Sequence, residues 1–362
     1  MEIPRALLYV LASIGAVVCL AVAGRTIDFL LFHFTTPTQP LEAYRRGDGG
    51  PKPTYALITG ASAGIGYGIA RSLVKHGFGV ILLGHKEDEL AQAAASLRAL
   101  VPEDHTRRHH RRAGQEDALR LVRTIVMDAQ AATPQEMEDA LRTTVTDEDL
   151  RVSVLVNNVG SNPIALPAWR GLRTYAPADV DAVIDLNARF MARLTAVMLP
   201  VLMRRGAGVD EHGRASGGTH RRSLILNVSS GGHIGLPWLV VYGATKGFNL
   251  SFSRGLAREL ETDPETRHID SLCVVPWDVK SQGNTLGVTK GAPDSEAYGK
   301  YIVERVDGAV NRGWREMSPY WLHHLQWLLL GWLPERYWKD AMVDKLKIKR
   351  DAFNDVFKAK DE

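Results

Sequence analysis

Short apolar segments alternate with helical patterns along most of this chain, and this alternation constrains the fold more than any other feature. The segments are rich in β-branched residues, which is typical of strands buried on both faces of a sheet. Strands separated by helices form parallel sheets. The sequence therefore predicts an α/β fold, a doubly wound parallel sheet, with strands at 55–58, 79–83, 123–127, 152–156, 224–228 and 271–275.

A glycine-rich turn, TGASAGIG at 59–66, follows the first predicted strand and leads into a helix. Glycines let the backbone turn tightly and approach a pyrophosphate, whose charge suits the N–H groups at a helix N-terminus. Ile65 begins the apolar spacing of that helix, so we expect it on the buried face. The sequence predicts a dinucleotide site at this turn, formed by Gly60, Ser62, Gly64, Ile65 and Gly66.

The residues after the second strand bear on which dinucleotide binds. A site for NAD would place a carboxylate there, on the 2′-hydroxyl of the adenosine ribose. This chain has His85 and Lys86 instead, which favours the 2′-phosphate of NADPH/NADP+. In the alternative interpretation, the two residues only begin the solvated helix 87–100.

Two later strand ends carry polar residues at the same edge of the sheet. Asp128 follows the third strand and is placed to reach an adenine edge, and Asn157 follows the fourth. Amides at the carboxyl ends of parallel strands can line a cofactor crevice. Asn and Gly also mark ordinary turns, so Asn157 either lines the cofactor crevice or belongs to an ordinary turn.

Residues 224–246 join a buried strand to a helix that carries Tyr242 and Lys246. Their i,i+4 spacing places the phenol and the ammonium on one helix face. We expect the cation to lower the pKa of the tyrosine, which is ordinarily about 10. Such a phenol can protonate a carbonyl oxygen while a hydroxyl at the strand end, Ser229 or Ser230, holds the same oxygen. Alone, this spacing also fits an exposed pair on a solvated helix.

A long amphipathic helix predicted from about 178 to 204 contains Asn187. An amide inside a buried helix is costly unless it is hydrogen bonded. Asn187 is therefore either a satisfied structural residue or a water-binding element of the site.

Taken together, these motifs resemble the short-chain dehydrogenases/reductases. TGASAGIG, NNVG at 157–160, the helix asparagine, the strand-end serine, YGATK at 242–246 and PWDVKS at 276–281 stand in that family's order. The likeness covers roughly 53–283 and implies a single Rossmann-type domain. NNVG, the N-terminal apolar run and SPYWLHHL at 318–325 are similar to the membrane-bound very-long-chain 3-oxoacyl-CoA reductase and 17β-hydroxysteroid dehydrogenase branch.

The resemblance implies roles for individual residues. Tyr242 would donate the proton, Lys246 would lower its pKa and bind the nicotinamide ribose, and Asn187 would hold a water of the proton relay. Val279 would contact the carboxamide through its backbone, and Ser281 would also contact the cofactor. The family's usual serine-to-tyrosine spacing fits Ser229, whereas position at the strand end fits Ser230, which we favour. Trp277 replaces the usual glycine, so the resemblance does not define the shape of the substrate pocket.

The implied function is NADPH-dependent reduction of a ketone to a secondary alcohol on a lipophilic substrate. A 3-oxoacyl-CoA is the first candidate for that substrate. Reduction of a steroid or polyketide ketone is the alternative. Two further alternatives are a catalytically silent dinucleotide-binding scaffold at the membrane and a lipid-binding protein at the membrane surface. We also expect that the chain can form a homodimer.

The apolar run at 6–24 contains no charged residue and is about 28 Å long as a helix, close to the thickness of a bilayer core. A cleaved signal peptide is the alternative, since Ala21–Val22–Ala23 resembles a cleavage site. The run is long for a signal core, and apolar residues 29–34 follow it, so we expect an uncleaved membrane anchor. More basic residues follow the run than precede it, which predicts a cytosolic catalytic domain.

Charge and composition exclude some classes of function. With 44 basic and 41 acidic residues the net charge is only +3, so nucleic acid is not an expected partner. The basic run HTRRHHRR at 105–112 fits a solvated loop, with nucleic acid or anionic lipid as the alternative. Its histidines lack the spacing of a metal site, and no metal is predicted. Two cysteines give no disulfide framework.

The aromatic segment 320–338 fits a bilayer surface, a lid over a substrate tunnel or an ordinary buried helix. The last five residues, KAKDE, fit the K-x-K-x-x retrieval signal, and we expect the endoplasmic reticulum membrane with the catalytic domain in the cytosol. The predicted organisation is an anchor at 1–34, a linker at 35–53, a reductase domain at 54–290 with insertions near 101–122 and 206–222, and a helical substrate cap and tail at 291–362.

Overall fold

A computed structural model gives the fold and describes residues 4–35, 40–45, 53–100, 121–146, 150–164, 167–204 and 222–361. The basic run at 105–112, most of the two predicted insertions and most of the predicted linker lie outside these residues. The chain separates into two compact units, Met1–Thr38 and Gln39–Glu362.

The first unit contains helix α1, Arg5–Phe34, which is 30 residues long. Its length and apolar composition allow it to cross a membrane. The helical segment Pro177–Met203 of the second unit passes the same test, but half of its apolar window is buried inside the domain. The predicted span at 6–24 therefore falls within a helix that is a candidate membrane span.

The second unit is built on a seven-stranded sheet in which every pair of neighbouring strands is parallel. The spatial order is β3-β2-β1-β4-β5-β6-β7, so chain order reverses between β1 and β4. The crevice at such a reversal, outside the carboxyl ends of the strands, is where ligands bind in sheets of this kind. The strands are β1 Thr54–Thr59, β2 Gly79–Gly84, β3 Val122–Val126, β4 Arg151–Asn157, β5 Ser223–Val228, β6 Ile269–Val274 and β7 Glu316–Met317.

Helices follow the strands and cover both faces of the sheet. Apolar side chains from the strands and helices form the core, in which Leu57, Ile81, Leu155 and Ile225 are fully buried. The helices of this unit are α2 Glu42–Arg45, α3 Gly64–Lys75, α4 Glu87–Arg98, α5 Pro134–Leu141, α6 Pro177–Ile184, α7 Phe190–Met203, α8 Val240–Thr262, α9 Ser295–Asn311, α10 Trp321–Trp332 and α11 Lys339–Asp361.

The doubly wound parallel sheet is confirmed, and the six predicted strands lie within one or two residues of β1 to β6. The predicted helix 178–204 is interrupted, because Asp185–Arg189 forms a π-helical turn between α6 and α7. One strand, β7, was not predicted, since two residues are too few to give an alternating pattern.

Candidate active site

The turn between β1 and α3 has the backbone that its glycines predict. Gly60 and Gly64 have positive φ values of 61° and 62°, which side-chain-bearing residues rarely adopt. A Cβ on Gly64 would have only Ser281 Cβ near it, at 4.0 Å, so the space beside Gly64 at the start of α3 is open. The first N–H groups of a helix have no acceptor within the helix, and α3 begins at Gly64, beside this open space. A pyrophosphate fits such a cradle.

Ile65 does not lie on the buried face of α3 and is only partly buried. The buried residues of α3 include Gly66 and Gly68 in the first turn and then Ile69 and Leu73. The prediction of a buried Ile65 was wrong, because the first turn of α3 packs through Gly66 and Gly68, while Ile65 lies next to the open space at Gly64. Ser62 is also partly buried, so both side chains are at the rim of the open turn.

His85 and Lys86 follow β2 and are both exposed, at the same edge of the sheet as the glycine turn. Lys86 Nζ donates to Glu89 Oε1 over 2.7 Å, one turn into α4. This exposed ion pair is weak and leaves the ammonium free to change partner. Exposed donors therefore follow β2, and their contact with a 2′-phosphate stays a prediction.

Asn157 is buried in the last position of β4, and its side chain bonds within the protein. Its Nδ2 donates to Asn227 Oδ1 at 2.8 Å and to Thr195 Oγ1 at 2.9 Å, which ties β4 to β5 and α7. Asn158 Nδ2 donates instead to the carbonyl oxygens of Thr59 and Gly60, at 3.0 and 3.2 Å. Asn158 is thus the residue that holds the glycine turn. The NNVG motif alone did not show which of the two asparagines has this role.

Asp128 is exposed after β3, and its Oδ1 accepts the backbone N–H of Gln130 over 2.9 Å. This bond closes a local turn and leaves Oδ2 available at the edge of the crevice. The predicted reach of Asp128 towards an adenine stays a prediction.

Ser229 and Ser230 make different contacts at the end of β5. The buried Ser229 hydroxyl donates to the Lys246 carbonyl oxygen over 2.6 Å, so it serves the packing of β5 on α8. Ser230 Oγ accepts the N–H of Gly232 over 3.1 Å, and the Ser230 side chain is close enough to the phenol of Tyr242 to lower its pKa. The hydroxyl that meets Tyr242 is therefore that of Ser230.

Lys246 and Asn187 meet beside Gly160, which follows β4. A Cβ on Gly160 would lie 2.7 Å from Lys246 Nζ and 2.8 Å from Asn187 Oδ1. Asn187 Nδ2 donates to the carbonyl oxygens of Ser161 and Val183, at 2.7 and 2.9 Å, whereas its buried Oδ1 accepts no hydrogen bond from the described residues. The π-helical turn orients this amide, and such turns are frequent at functional sites. A water between Lys246 and Asn187 would satisfy both groups.

Burial dominates the titration of the two central side chains. Burial raises the pKa of Tyr242, and the nearby hydroxyl of Ser230 lowers it by a smaller amount. Burial lowers the pKa of Lys246 to about 8. Lys246 Nζ lies 5.6 Å from the centroid of the Tyr242 ring. The prediction that Lys246 lowers the pKa of Tyr242 was wrong for the protein alone, because desolvation raises the pKa of the phenol and Lys246 is not among the groups that shift it.

The loop after β6 closes the site on the side of β5. Trp277 packs its ring on Gly231, where a Cβ would lie 2.5 Å from the ring carbons. Val279 is buried, and its carbonyl oxygen accepts Asn284 Nδ2 over 2.8 Å. Ser281 is the side chain nearest to the open space over Gly64. Val279 and Ser281 thus lie between the Tyr242 region and the glycine turn.

Helix α11 contacts three loops at the carboxyl ends of β4, β5 and β6. Lys349 Nζ donates to Asp278 Oδ1 over 2.7 Å, and both side chains are largely buried. The Arg350 guanidinium lies 4.4 Å from the ring centroid of Trp238, and Phe353 stacks on Trp169 at 5.7 Å. We call these three contacts the clasp. No motif in the sequence linked α11 to these loops.

Asp278 is the centre of the strongest of these contacts. Burial opposes its charge, but hydrogen bonds from Lys349, Thr289 and Asn284 outweigh that cost and hold the pKa of Asp278 well below its usual range. Trp238 has a positive φ of 63°, a strained conformation for a residue with a side chain. The clasp therefore holds a strained loop that leads directly into α8 and Tyr242.

Comparison with known proteins agrees with this geometry. A model of the short chain dehydrogenase family matches residues 54–285. A very-long-chain 3-oxoacyl-CoA reductase of Aspergillus clavatus is 29% identical over 328 residues, which cover 87% of this chain and 81% of that protein. The protein of the same name from Phaeosphaeria nodorum is 28% identical over 356 residues, covering 96% and 88% of the two chains.

Solved structures share the fold. A short-chain dehydrogenase of Salmonella enterica serovar Typhi superposes with a TM-score of 0.59 at 16% identity, covering 79% of this chain and 99% of that chain. A short-chain dehydrogenase of Sphingobium yanoikuyae in complex with NADPH gives a TM-score of 0.53 at 22% identity, covering 78% and 97%.

Proposed function

Because the chain belongs to the short chain dehydrogenase family and is an NAD(P)-dependent oxidoreductase of that family, we propose that it is an NADPH-dependent reductase of a lipophilic ketone. The observation that carries the proposal is the cluster around Tyr242. Ser230 is close enough to its phenol to lower the pKa, Lys246 Nζ lies 5.6 Å from its ring centroid, and Asn187 faces the same gap as Lys246. Tyr242 as proton donor, Ser230 as a second hydrogen-bond donor, and the Lys246–Asn187 gap through which Tyr242 would regain a proton are therefore adjacent.

The residues of this chain divide the chemistry between them. Bound NADPH supplies the hydride for the carbonyl carbon. Tyr242 gives its proton to the carbonyl oxygen, and Ser230 donates a hydrogen bond to that oxygen and stabilises its growing negative charge. Lys246 and the Oδ1 of Asn187 hold a water beside Gly160, through which Tyr242 regains a proton.

We propose that the cofactor binds along the carboxyl edge of the sheet. The N–H groups at the start of α3 bind the pyrophosphate over the open Gly64, with Ser62, Ile65 and Ser281 at the rim. His85 and Lys86 bind the 2′-phosphate, and Asp128 meets the adenine. Lys246 and the Val279 backbone bind the nicotinamide end. Asn157 supports this edge from inside the sheet through Asn227 and Thr195.

A 3-oxoacyl thioester is the proposed substrate class. The relatives that cover most of the chain are named very-long-chain 3-oxoacyl-CoA reductases, at 27 to 29% identity. Aromatic rings at 169, 238 and 353 belong to the clasp, the ring at 277 packs on Gly231 next to Ser230, and such rings suit an apolar chain. We propose that 291–362 forms the substrate cap, that 1–34 anchors the protein in the endoplasmic reticulum membrane, and that the catalytic domain is cytosolic.

Turnover by the purified full-length protein tests the proposal. NADPH oxidation is measured with 3-oxoacyl-CoA of increasing chain length, with steroid ketones and with polyketide ketones. We expect the long thioesters to have the highest kcat/KM. Tyr242→Phe should abolish turnover and leave NADPH affinity within a few fold, because only the donor hydroxyl is lost. Activity near that of the parent in this variant would show that the proton comes from another group. A preference for the steroid or polyketide ketones would transfer the assignment to them.

A further inference from the structure

Helix α10 exposes an apolar face. Its 12 residues, WLHHLQWLLLGW, contain no Asp, Glu, Lys or Arg. The exposed residues share one side of the helix within an arc of roughly 120°, at 3.6 residues per turn. They are Trp321, Leu322, Leu325, Leu328, Leu329 and Trp332, of which Trp332 is 72% exposed.

The opposite side of α10 fixes the helix to the domain. Trp327 packs against the buried cluster of Leu250, Cys273 and Val275 and lies 4.8 Å from the His233 ring. His323 is buried on the same side. The apolar face is therefore held outward by a rigid support, and its exposure does not come from a loose helix. A surface helix ordinarily turns its apolar stripe to the core.

Cationic groups lie beside this face. A cavity of about 440 Å³ adjoins it, lined by Leu328 and Trp327 and by three arginines against a single glutamate. Arg254 pairs with Glu316 through Nε at 2.7 Å, and Arg315 pairs with Glu261. Arg258, in contrast, forms no ion pair or hydrogen bond with any residue that the structure describes. At the far end of the face, Arg336 lies 4.9 Å from the ring centroid of the exposed Tyr337.

We propose that the α10 face lies on the surface of a phospholipid bilayer and that the arginine-lined cavity takes the anionic headgroup of a lipid. Leucines enter the boundary between headgroups and acyl chains, to a depth of about 5–10 Å for helices of this kind. Trp332 and Tyr337 have the amphipathic rings that favour that boundary. Arg258 and Arg336 are placed at headgroup level, where cations are attracted to anionic lipids.

A second copy of the chain is the rival occupant, and charge argues against it. A two-fold contact brings the same surface of both copies together. Here it would bring the arginines of one cavity against those of the other, and juxtaposed like charges are costly at an interface. An anionic bilayer satisfies both the apolar face and the cations. The chain also carries a candidate membrane span, Arg5–Phe34.

Depth-dependent quenching in the full chain tests the docking separately from the anchor. The protein has two cysteines, Cys19 in α1 and the buried Cys273. In a Cys19→Ala background, a small fluorophore is attached at Leu329→Cys on the apolar face or at Ala91→Cys, an exposed control on α4. Each protein is placed in nanodiscs of phosphatidylcholine with or without phosphatidylserine. Brominated acyl chains report burial in the bilayer, and iodide reports exposure to water.

We expect the label at 329 to be quenched by brominated lipid and shielded from iodide, and the label at 91 to show the reverse. Phosphatidylserine should increase the lipid quenching at 329. Arg258→Gln should lower the ratio of docked to undocked protein about fivefold in phosphatidylserine discs. Lys75→Gln, which removes an exposed charge at the end of α3, should leave the ratio unchanged.

Three results would overturn the proposal. Free access of iodide to the label at 329 would place the face in water. Shielding from both quenchers would show that protein covers it, as in a dimer. Equal lipid quenching at 329 and 91 would show only that α1 keeps the whole domain near the bilayer.

Discussion

The hydroxyl of Ser230 acts on the phenol of Tyr242 and lowers its pKa, whereas the hydroxyl of Ser229 donates to the main-chain oxygen of Lys246. Two adjacent serines thus face opposite sides of the strand end. One faces the reacting groups and the other faces the packing between β5 and α8. Motif spacing alone did not decide which serine is catalytic, and the different contacts of the two serines allow variants of each to be compared.

Replacing each serine separately should separate the two roles. Ser230→Ala should lower kcat by about 100-fold or more, because a donor to the carbonyl oxygen is lost. Ser229→Ala should lower stability by about 1 kcal/mol, since one buried hydrogen bond is removed, and should leave kcat close to that of the parent. Steady-state kinetics and chemical denaturation measure the two effects. A larger loss of kcat in Ser229→Ala would assign the catalytic hydroxyl to Ser229.

The gap beside Gly160 gives a second test of the proton route. Gly160→Ala would place a methyl group 2.7 Å from Lys246 Nζ and 2.8 Å from Asn187 Oδ1, so both groups must move and the space for a water is filled. We expect kcat to fall by about 10- to 100-fold, as for other small displacements of catalytic groups. The matched control is Gly255→Ala in α8, where the new methyl group meets no atom within 4 Å. Unchanged kcat in Gly160→Ala would remove the water from the proposed route.

The order of the elements and the position of the cofactor edge could be predicted from the sequence. Buried parallel strands have continuous apolar runs, and the Gly60–Gly64 turn has its own backbone requirement. Both signals are local. The strand-end position of Ser230 could also be predicted from the sequence, because the end of an apolar run indicates where a strand leaves the sheet.

Other features of the site depend on tertiary packing and have no local signal. The contact between Lys349 and Asp278 joins residues 71 positions apart. The π-helical turn that orients Asn187 requires one extra residue per turn, which a 3.6-residue pattern does not reveal over so short a stretch. The pKa of Tyr242 was predicted in the wrong direction, because sequence spacing shows a neighbouring cation and not the depth of burial.

Cofactor preference tests the roles of His85 and Lys86. We expect kcat/KM for NADPH to exceed that for NADH at least about tenfold, a difference of ~1.4 kcal/mol. His85→Asp should narrow or reverse this preference, because a carboxylate repels a 2′-phosphate and accepts a hydrogen bond from a 2′-hydroxyl. His76→Asp, at the end of α3, is the charge-matched control and should keep the preference. Equal use of both coenzymes by the parent would show that His85 and Lys86 do not select the phosphate.

The clasp predicts a chain-length effect in the substrate. Lys349→Met removes the ammonium from a largely buried carboxylate that keeps its bonds to Thr289 and Asn284, at a cost of about 1–3 kcal/mol. With α11 loosened, KM should rise for long 3-oxoacyl thioesters and change little for short ones, which do not reach the cap. Lys347→Met replaces an exposed lysine on the same helix and should leave both KM values unchanged. Equal effects on short and long substrates would indicate that the clasp supports the fold without contacting the acyl chain.

The last prediction concerns His323, whose ring accepts the backbone N–H of Trp277 at Nδ1 over 3.4 Å. Burial lowers the pKa of His323 to about 4, whereas an unfolded histidine has a pKa of about 6.5. Between these values the unfolded chain binds a proton that the folded protein excludes. The free energy of unfolding therefore decreases as the pH falls through this window, and protonation of Nδ1 would also remove the acceptor for Trp277.

Comparison of the parent with His323→Gln isolates this effect. The glutamine variant cannot take up the proton, so the parent should lose roughly 2 kcal/mol more than the variant between pH 7 and pH 5. The contribution of Asp278 is lost only around and below its unfolded pKa of about 3.9, which keeps it outside this range. The pKa of His233 is also lowered by burial, but His233 is present in both proteins and its effect cancels. Chemical denaturation in detergent at several pH values measures the difference, and parallel pH curves for the two proteins would show that His323 is protonated as readily in the folded state as in the unfolded one.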